Sequence, residues 1–178
     1  MSKRSNLVFK GLHIVAWVIF VGLCIEAGAL IVNFIYSLFK PIVVHNLYQK
    51  LDLSEMYHRS KLAYTGMYGF ILIIAVLKSF LFYVVILVLS KLDLSKPFNS
   101  YVAGKITLIS YCTLSIGLFS YVGREIAGKL QLHGFETGML NQFWTGSQAF
   151  ILMAAVMYVI AVIFSKGVEI QNENDLTV

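Results

Sequence analysis

The sequence predicts an all-α fold, a four-helix transmembrane bundle, and three observations predict it. Hydrophobic residues make up 58% of the 178 residues and charged ones only 13%, against roughly 45–50% and about 25% in a typical globular protein. Mean hydropathy is +0.78. Four apolar stretches are each long enough to cross a hydrocarbon core of about 30 Å, which takes around 20 helical residues. Too few polar residues remain to cover a soluble sphere, so lipid is the medium this chain must face. Disorder, a coiled coil and a water-soluble nucleic-acid binder are excluded, although the net charge is +5 and the pI about 9.2. Two cysteines and two prolines argue against a disulfide framework or a Pro-rich linker.

A single integral membrane domain over 1–178 follows. Its first span runs over 12–38 with Glu26 as the only charge, and its second over 62–89 with only Lys78 inside. The third, 106–126, has no charge until Arg124 and Glu125, and the fourth, 143–164, has none at all. Helix is forced, because lipid offers no partner for an open strand edge and the alternation of a barrel strand is absent. Met1-Ser2-Lys3-Arg4 and Ala27-Gly28-Ala29 imitate a signal peptide, but the apolar run continues past them to Phe39, which a cleaved segment does not need.

An even number of spans puts both termini on one side. With that side cytoplasmic, Lys3, Arg4, Lys10, Lys91, Lys96, Lys105 and Lys166 lie inside, against Lys40, Lys50, Arg59, Lys61 and Lys129 outside. This bias and the basic N-terminus favour both termini in the cytoplasm. Pro97 stops helix from running straight through the inner loop. Tyr36, Phe39, Tyr64, Tyr68, Tyr121, Phe143 and Trp144 fall where an aromatic belt would sit, and the general abundance of aromatics explains them nearly as well. Lys50 to Ser54 repeats as Lys91 to Ser95, but on opposite sides of the membrane, so the repeat is coincidence. Asp52 or Ser54 is placed to cap a short interfacial helix.

Intramembrane charge is the main chemical signal. Glu26 and Lys78 fall at similar depth in a hairpin joined on the outside. A lone charge at mid-bilayer costs on the order of 2.5–3.5 kcal/mol. The first reading is therefore a pair that fixes how the first two spans pack; an ion or proton pathway is the second. Gly22, Glu26, Ala29 and Asn33 share one helical face, which predicts an inward-facing Glu26. Ser110, Thr113, Gly117, Ser120 and Arg124 form a longer seam of the same kind, read first as a close helix–helix contact and second as a polar path. His13, His45, His58 and His133 lack ligand spacing, so neither metal nor haem is expected. Cys24 and Cys112 are isolated thiols. There is no phosphate loop, no nucleophile elbow and no carboxylate pair, so neither catalysis nor a cofactor is expected.

After the fourth span comes a short acidic tail, 165–178, with Gly167 placed to end the helix. Beyond it the reading is a flexible tail, or an extended ligand for strand addition. The tail from Gly167 to Val178, with the Asp-x-x-x-Pro-Phe stretch from Asp93 to Phe98, resembles the bacterial family catalogued as domain of unknown function 2975. The matching tail positions are Gly167, Glu169, Gln171, Glu173, Asn174, Asp175, Leu176, Thr177 and Val178; Pro97 and Phe98 match in the inner loop. The resemblance implies a small four-span membrane protein with no assigned activity, encoded beside a small helix-turn-helix regulator. It makes Pro97, Phe98 and the tail from Glu169 a candidate docking surface. The expected function is thus a sensor or anchor in the bacterial cytoplasmic membrane that contacts a regulatory protein without itself binding nucleic acid. The alternative is a small transporter, channel or toxin-immunity protein that uses Glu26 and Lys78. Oligomeric state is not legible.

Overall fold

The computed structural model describes residues 3–92 and 98–176. Four long helices follow one another up and down: α1 (Lys3–Phe39), α3 (Lys61–Lys91), α4 (Ser100–Leu132) and α6 (Ser147–Leu176). Each is apolar and long enough to cross a membrane. Two short helices, α2 (Ser54–Arg59) and α5 (Asn141–Trp144), lie in the connections at one end, with 3₁₀ turns at Pro41–His45, Tyr48–Lys50 and Gly138–Leu140. We call this the capped end and the opposite one, which carries both termini, the terminal end.

Local chemistry sets the helix limits. Pro41 bars α1 from continuing and holds Lys40 extended. The Ser60 hydroxyl oxygen caps α3 by accepting from the Ala63 N–H at 3.2 Å, and the Asn99 side chain caps α4 by accepting from the Tyr101 N–H at 2.8 Å. Gly134 and Gly146 take φ near +80°, which lets the chain turn after α4 and into α6.

The long helices pack as an open row: α1 on α3, α3 on α4, and α4 on α6, with α1 making at most marginal contact with α4 or α6. Half of the most apolar window of α4 is therefore buried, against 17% for α1 and for α6. α1 meets α3 through Ala16, Phe20, Leu23, Ala27, Leu30, Phe34 and Ser37, alternately four and three residues apart. The expected face of Gly22, Glu26, Ala29 and Asn33 lies about 100° around, on the flank of this contact. Gly22 accordingly has nothing within 4 Å of where a Cβ would be.

Contacts between neighbours fix the vertical register. Ser37 meets Tyr64 and Phe20 meets Tyr83; Phe70 meets Phe119; Ser110 meets Ala154 and Phe98 meets Phe164. Counting outward from these contacts brings Lys10, Lys91 and Lys166 to one level and Lys40, Lys61 and Lys129 to another. The 31 residues of α3 place the two levels about 45 Å apart. That is the thickness of a bilayer with its headgroups, about 40–45 Å.

The principal core is gathered at the capped end. Tyr64 and Tyr68, expected in an interfacial belt, are fully buried there. The Tyr64 hydroxyl donates to Ser37 Oγ at 2.6 Å, and that of Tyr68 donates to the Leu30 carbonyl at 3.1 Å. Phe143 and Trp144 are buried too, while Tyr36, Phe39 and Tyr121 remain exposed. Over this core the 41–60 segment folds as a lid, tucking Val44, Leu47, Leu51, Leu53 and Met56 inward. Arg59 staples it to the connection after α4 by donating to the carbonyls of His133 and Gly134 at 2.7 and 2.8 Å. Asp52 stabilises the start of α2 by accepting from the Ser54 N–H and hydroxyl at 2.9 and 2.6 Å. At the terminal end the packed cluster reduces to Val102, Ile106 and Ala161, with half-buried neighbours.

Candidate functional site

At the terminal end the two motifs that the sequence singles out come together. Phe98, just before α4, lays its ring on Gly167 of α6: a Cβ at Gly167 would collide with the Phe98 ring carbons. The same ring meets Phe164 edge-on, with centroids 5.6 Å apart. Gly167 does not end the helix. Its missing side chain makes room for an aromatic ring, and α6 continues to Leu176. The tail up to that point is therefore helix, neither a loose segment nor an extended strand. Measured from Lys166 at the lysine level, α6 projects about 15 Å further.

Along this projection Phe98, Ile163, Gly167, Ile170, Gln171 and Asn174 line an open, mostly apolar groove of about 610 Å³. Ile170 is 59% exposed although it lies beyond the lysine level. Lys166 also lines the groove and pairs with Glu169 at 2.6 Å, and Glu173 is exposed one turn further on. Of the remaining docking candidates, Asp175 and Leu176 lie in the last turn of α6. Pro97, Thr177 and Val178 lie outside the described residues.

Glu26 and Lys78 are both half-buried, and the α1–α3 register puts them within about one helical turn of each other in depth, close to midway between the lysine levels. They are not an ion pair. The ion pairs among the described residues include His45–Asp52, Glu55–Arg59 and Lys166–Glu169, all outside the hydrocarbon depth. Glu26 lines neither the groove beside Phe98 nor the clefts of the capped end.

The small-residue seam of α4 packs on α6. Ser110, Thr113, Gly117 and Ser120 are all buried, and α6 answers with Ser147, Ala154 and Ala161, seven residues apart. The Ser110 hydroxyl donates across the contact to the Ala154 carbonyl at 3.0 Å, while that of Thr113 donates within its own helix to Ile109 at 2.7 Å. At Gly117 a Cβ would stand 2.7 Å from Ile151 Cγ1 and 3.0 Å from the Ile151 nitrogen. Arg124 does not belong to this seam. It is exposed, and the buried line passes instead through Gly123, where the Trp144 ring comes within 2.8 Å of a Cβ position, to Ala127. The indole N–H of Trp144 has no acceptor among the described residues.

The histidines are scattered. His13 accepts from the Trp17 indole at 2.9 Å, His45 pairs with Asp52 at 2.7 Å, and His133 donates to the Lys129 carbonyl at 2.8 Å. His58 sits edge-on to Tyr57. The Asp52 carboxyl is held below the usual carboxylate range, chiefly by the hydrogen bonds from Ser54 and then by His45.

The family model described as "protein of unknown function (DUF2975)" matches residues 42–178. The chain belongs to this family. No curated protein and no solved structure matches it. The match takes in the lid, the three later long helices and the Phe98–Gly167 contact, but not α1. Sequence reasoning pointed at Phe98 and Gly167 separately and missed their contact. An aromatic at one helix entrance and a glycine inside another is the only trace it leaves.

Proposed function

We propose that this protein is a non-enzymatic membrane anchor or sensor that holds a soluble regulatory protein at the cytoplasmic face of a bacterial membrane. The observation that carries this reading is the terminal end of α6. A helix that served only to span the bilayer would end near Lys166. This one continues as a polar, acid-bearing rod with Phe98 clamped at its base and an apolar groove along its side. Helix-in-groove recognition uses surfaces of this kind. Family membership is compatible with it and assigns no activity. The partner implied by the resemblance is a small helix-turn-helix regulator, which alone would touch nucleic acid.

The test is capture of the regulator by the tagged full-length protein in membranes, compared with a chain lacking Glu169 to Val178 and with Phe98→Ala. Both variants should insert normally and lose capture; capture at the original level by both would dispose of the reading. A reporter fused to each terminus should mark both as cytoplasmic.

The unpaired midplane charges favour a second reading, a small transporter, channel or immunity protein working through Glu26 and Lys78. Glu26→Gln with Lys78→Met would then abolish flux or protection. Retained function would leave the two charges to packing.

A further inference from the structure

We propose that the cleft between α3 and α4 at the capped end is a binding site for one anionic phospholipid. The cleft measures about 500 Å³ and runs from Ser60 and His133, at the lysine level of the capped end, down α3 to Phe70. Along α3 that is ten residues, about 15 Å, so its mouth lies among headgroups and its floor among acyl chains. Its walls change accordingly. Lys129, Leu130 and His133 stand at the mouth, while Ala63, Met67 and Phe70 from α3 and Ile126 from α4 line the wall below.

Two features bear on what this cleft would hold. Gly66 sits in the wall, exposed and with nothing within 4 Å of where a Cβ would be, so an acyl chain can lie directly against the helix backbone there. The charges at this end are also sorted. Asp52, Glu55 and Glu136 line a separate groove on the lid side, and the guanidinium of Arg59 covers the Phe135 ring at 4.3 Å, between the two. Lys129 is then the cation that the lining presents, with the exposed Glu125 one turn deeper on α4 and outside that lining. A phosphate at Lys129 with an acyl chain passing Gly66 satisfies both halves. A soluble anion would use only the mouth, and a zwitterionic lipid would gain less from it.

The experiment is mass spectrometry of the intact full-length protein released from detergent after equilibration with phosphatidylglycerol, with phosphatidylcholine, or with an equal mixture. One phosphatidylglycerol should be retained per chain in preference to phosphatidylcholine. Lys129→Gln, on the surface, should lower that preference about fivefold, the effect of one basic residue near a membrane surface. Gly66→Leu, which projects into open space, should remove the retained lipid of either kind. Equal retention of both lipids, or a count unchanged by both substitutions, means ordinary annular lipid and overturns the proposal. Displacement of the lipid by millimolar inorganic phosphate would make this an anion site and overturn it equally.

Discussion

At the capped end two tyrosines are wholly buried, their hydroxyls satisfied by Ser37 and the Leu30 carbonyl, beneath a lid that contributes five buried apolar side chains of its own. At the terminal end three small or branched residues form the packed cluster, and the contact of note is one ring on one glycine. Both ends belong to the same four helices, so the contrast does not come from helix propensity. It comes from connections. At the capped end the chain spends two long segments on covering its core and stapling them together. Between α3 and α4 at the terminal end only eight residues intervene. Regions that bind partners are drawn from the less stable parts of a fold, and the function proposed above puts recognition at the more sparsely packed end.

The strongest challenge to this division is Gly117→Leu, at the α4–α6 contact midway between the ends. A backbone nitrogen and carbonyl oxygen stand at 3.0 and 3.2 Å from the new Cβ, so the helices must separate, at about 2–3 kcal/mol. The unfolding midpoint in mixed micelles should fall accordingly; an unchanged midpoint would show that the row does not depend on this seam. Next in size is Tyr64→Phe. It removes a buried hydrogen bond to Ser37 and should cost about 1 kcal/mol by the same measurement, whereas Tyr83→Phe, on a 43% exposed ring, should cost nothing resolvable.

Phe98→Ala sharpens the contrast from the other side. It should shift the midpoint by less than the tyrosine change yet reduce regulator capture, so that stability and recognition separate; a midpoint drop as large as that of Gly117→Leu would mean the terminal end is structural after all.

The smallest effect concerns the lid. With its folded carboxyl depressed below the ordinary value of about 3.9, Asp52 contributes stability that is present above that value and is lost as pH falls through the depressed one. Ser54→Ala should move the Asp52 titration, followed by NMR of its side-chain carboxyl, back upward. A midpoint unmoved by that change would assign the shift to something other than the Ser54 bonds.

The four spans were legible because helix is the one open structure lipid permits, so about twenty apolar residues suffice to declare one. The rotation of each helix was not. In a soluble helix the polar face marks the outside, but in lipid both faces are apolar and the contrast vanishes. Hence Glu26 and its companions were assigned to the face beside the true one, and Arg124 to a seam that Gly123 continues. Ser110 to Ser120 was readable because small residues carry information that hydropathy does not: they mark where backbones approach. Gly167 carried the same information and was taken for a helix end, since a glycine near the end of an apolar run serves a cap and a close contact equally well.

The amino-acid order alone therefore settled the solvent, the number of crossings and the helical class, all of which depend on burying backbone polar groups in hydrocarbon and so on composition over a window. Which helices touch, that they stand in an open row, that two outer segments close over a tyrosine core and that Phe98 rests on Gly167 depend on side chains far apart in the chain meeting in space. Those contacts are fixed by shape, and shape exists only once the helices have packed.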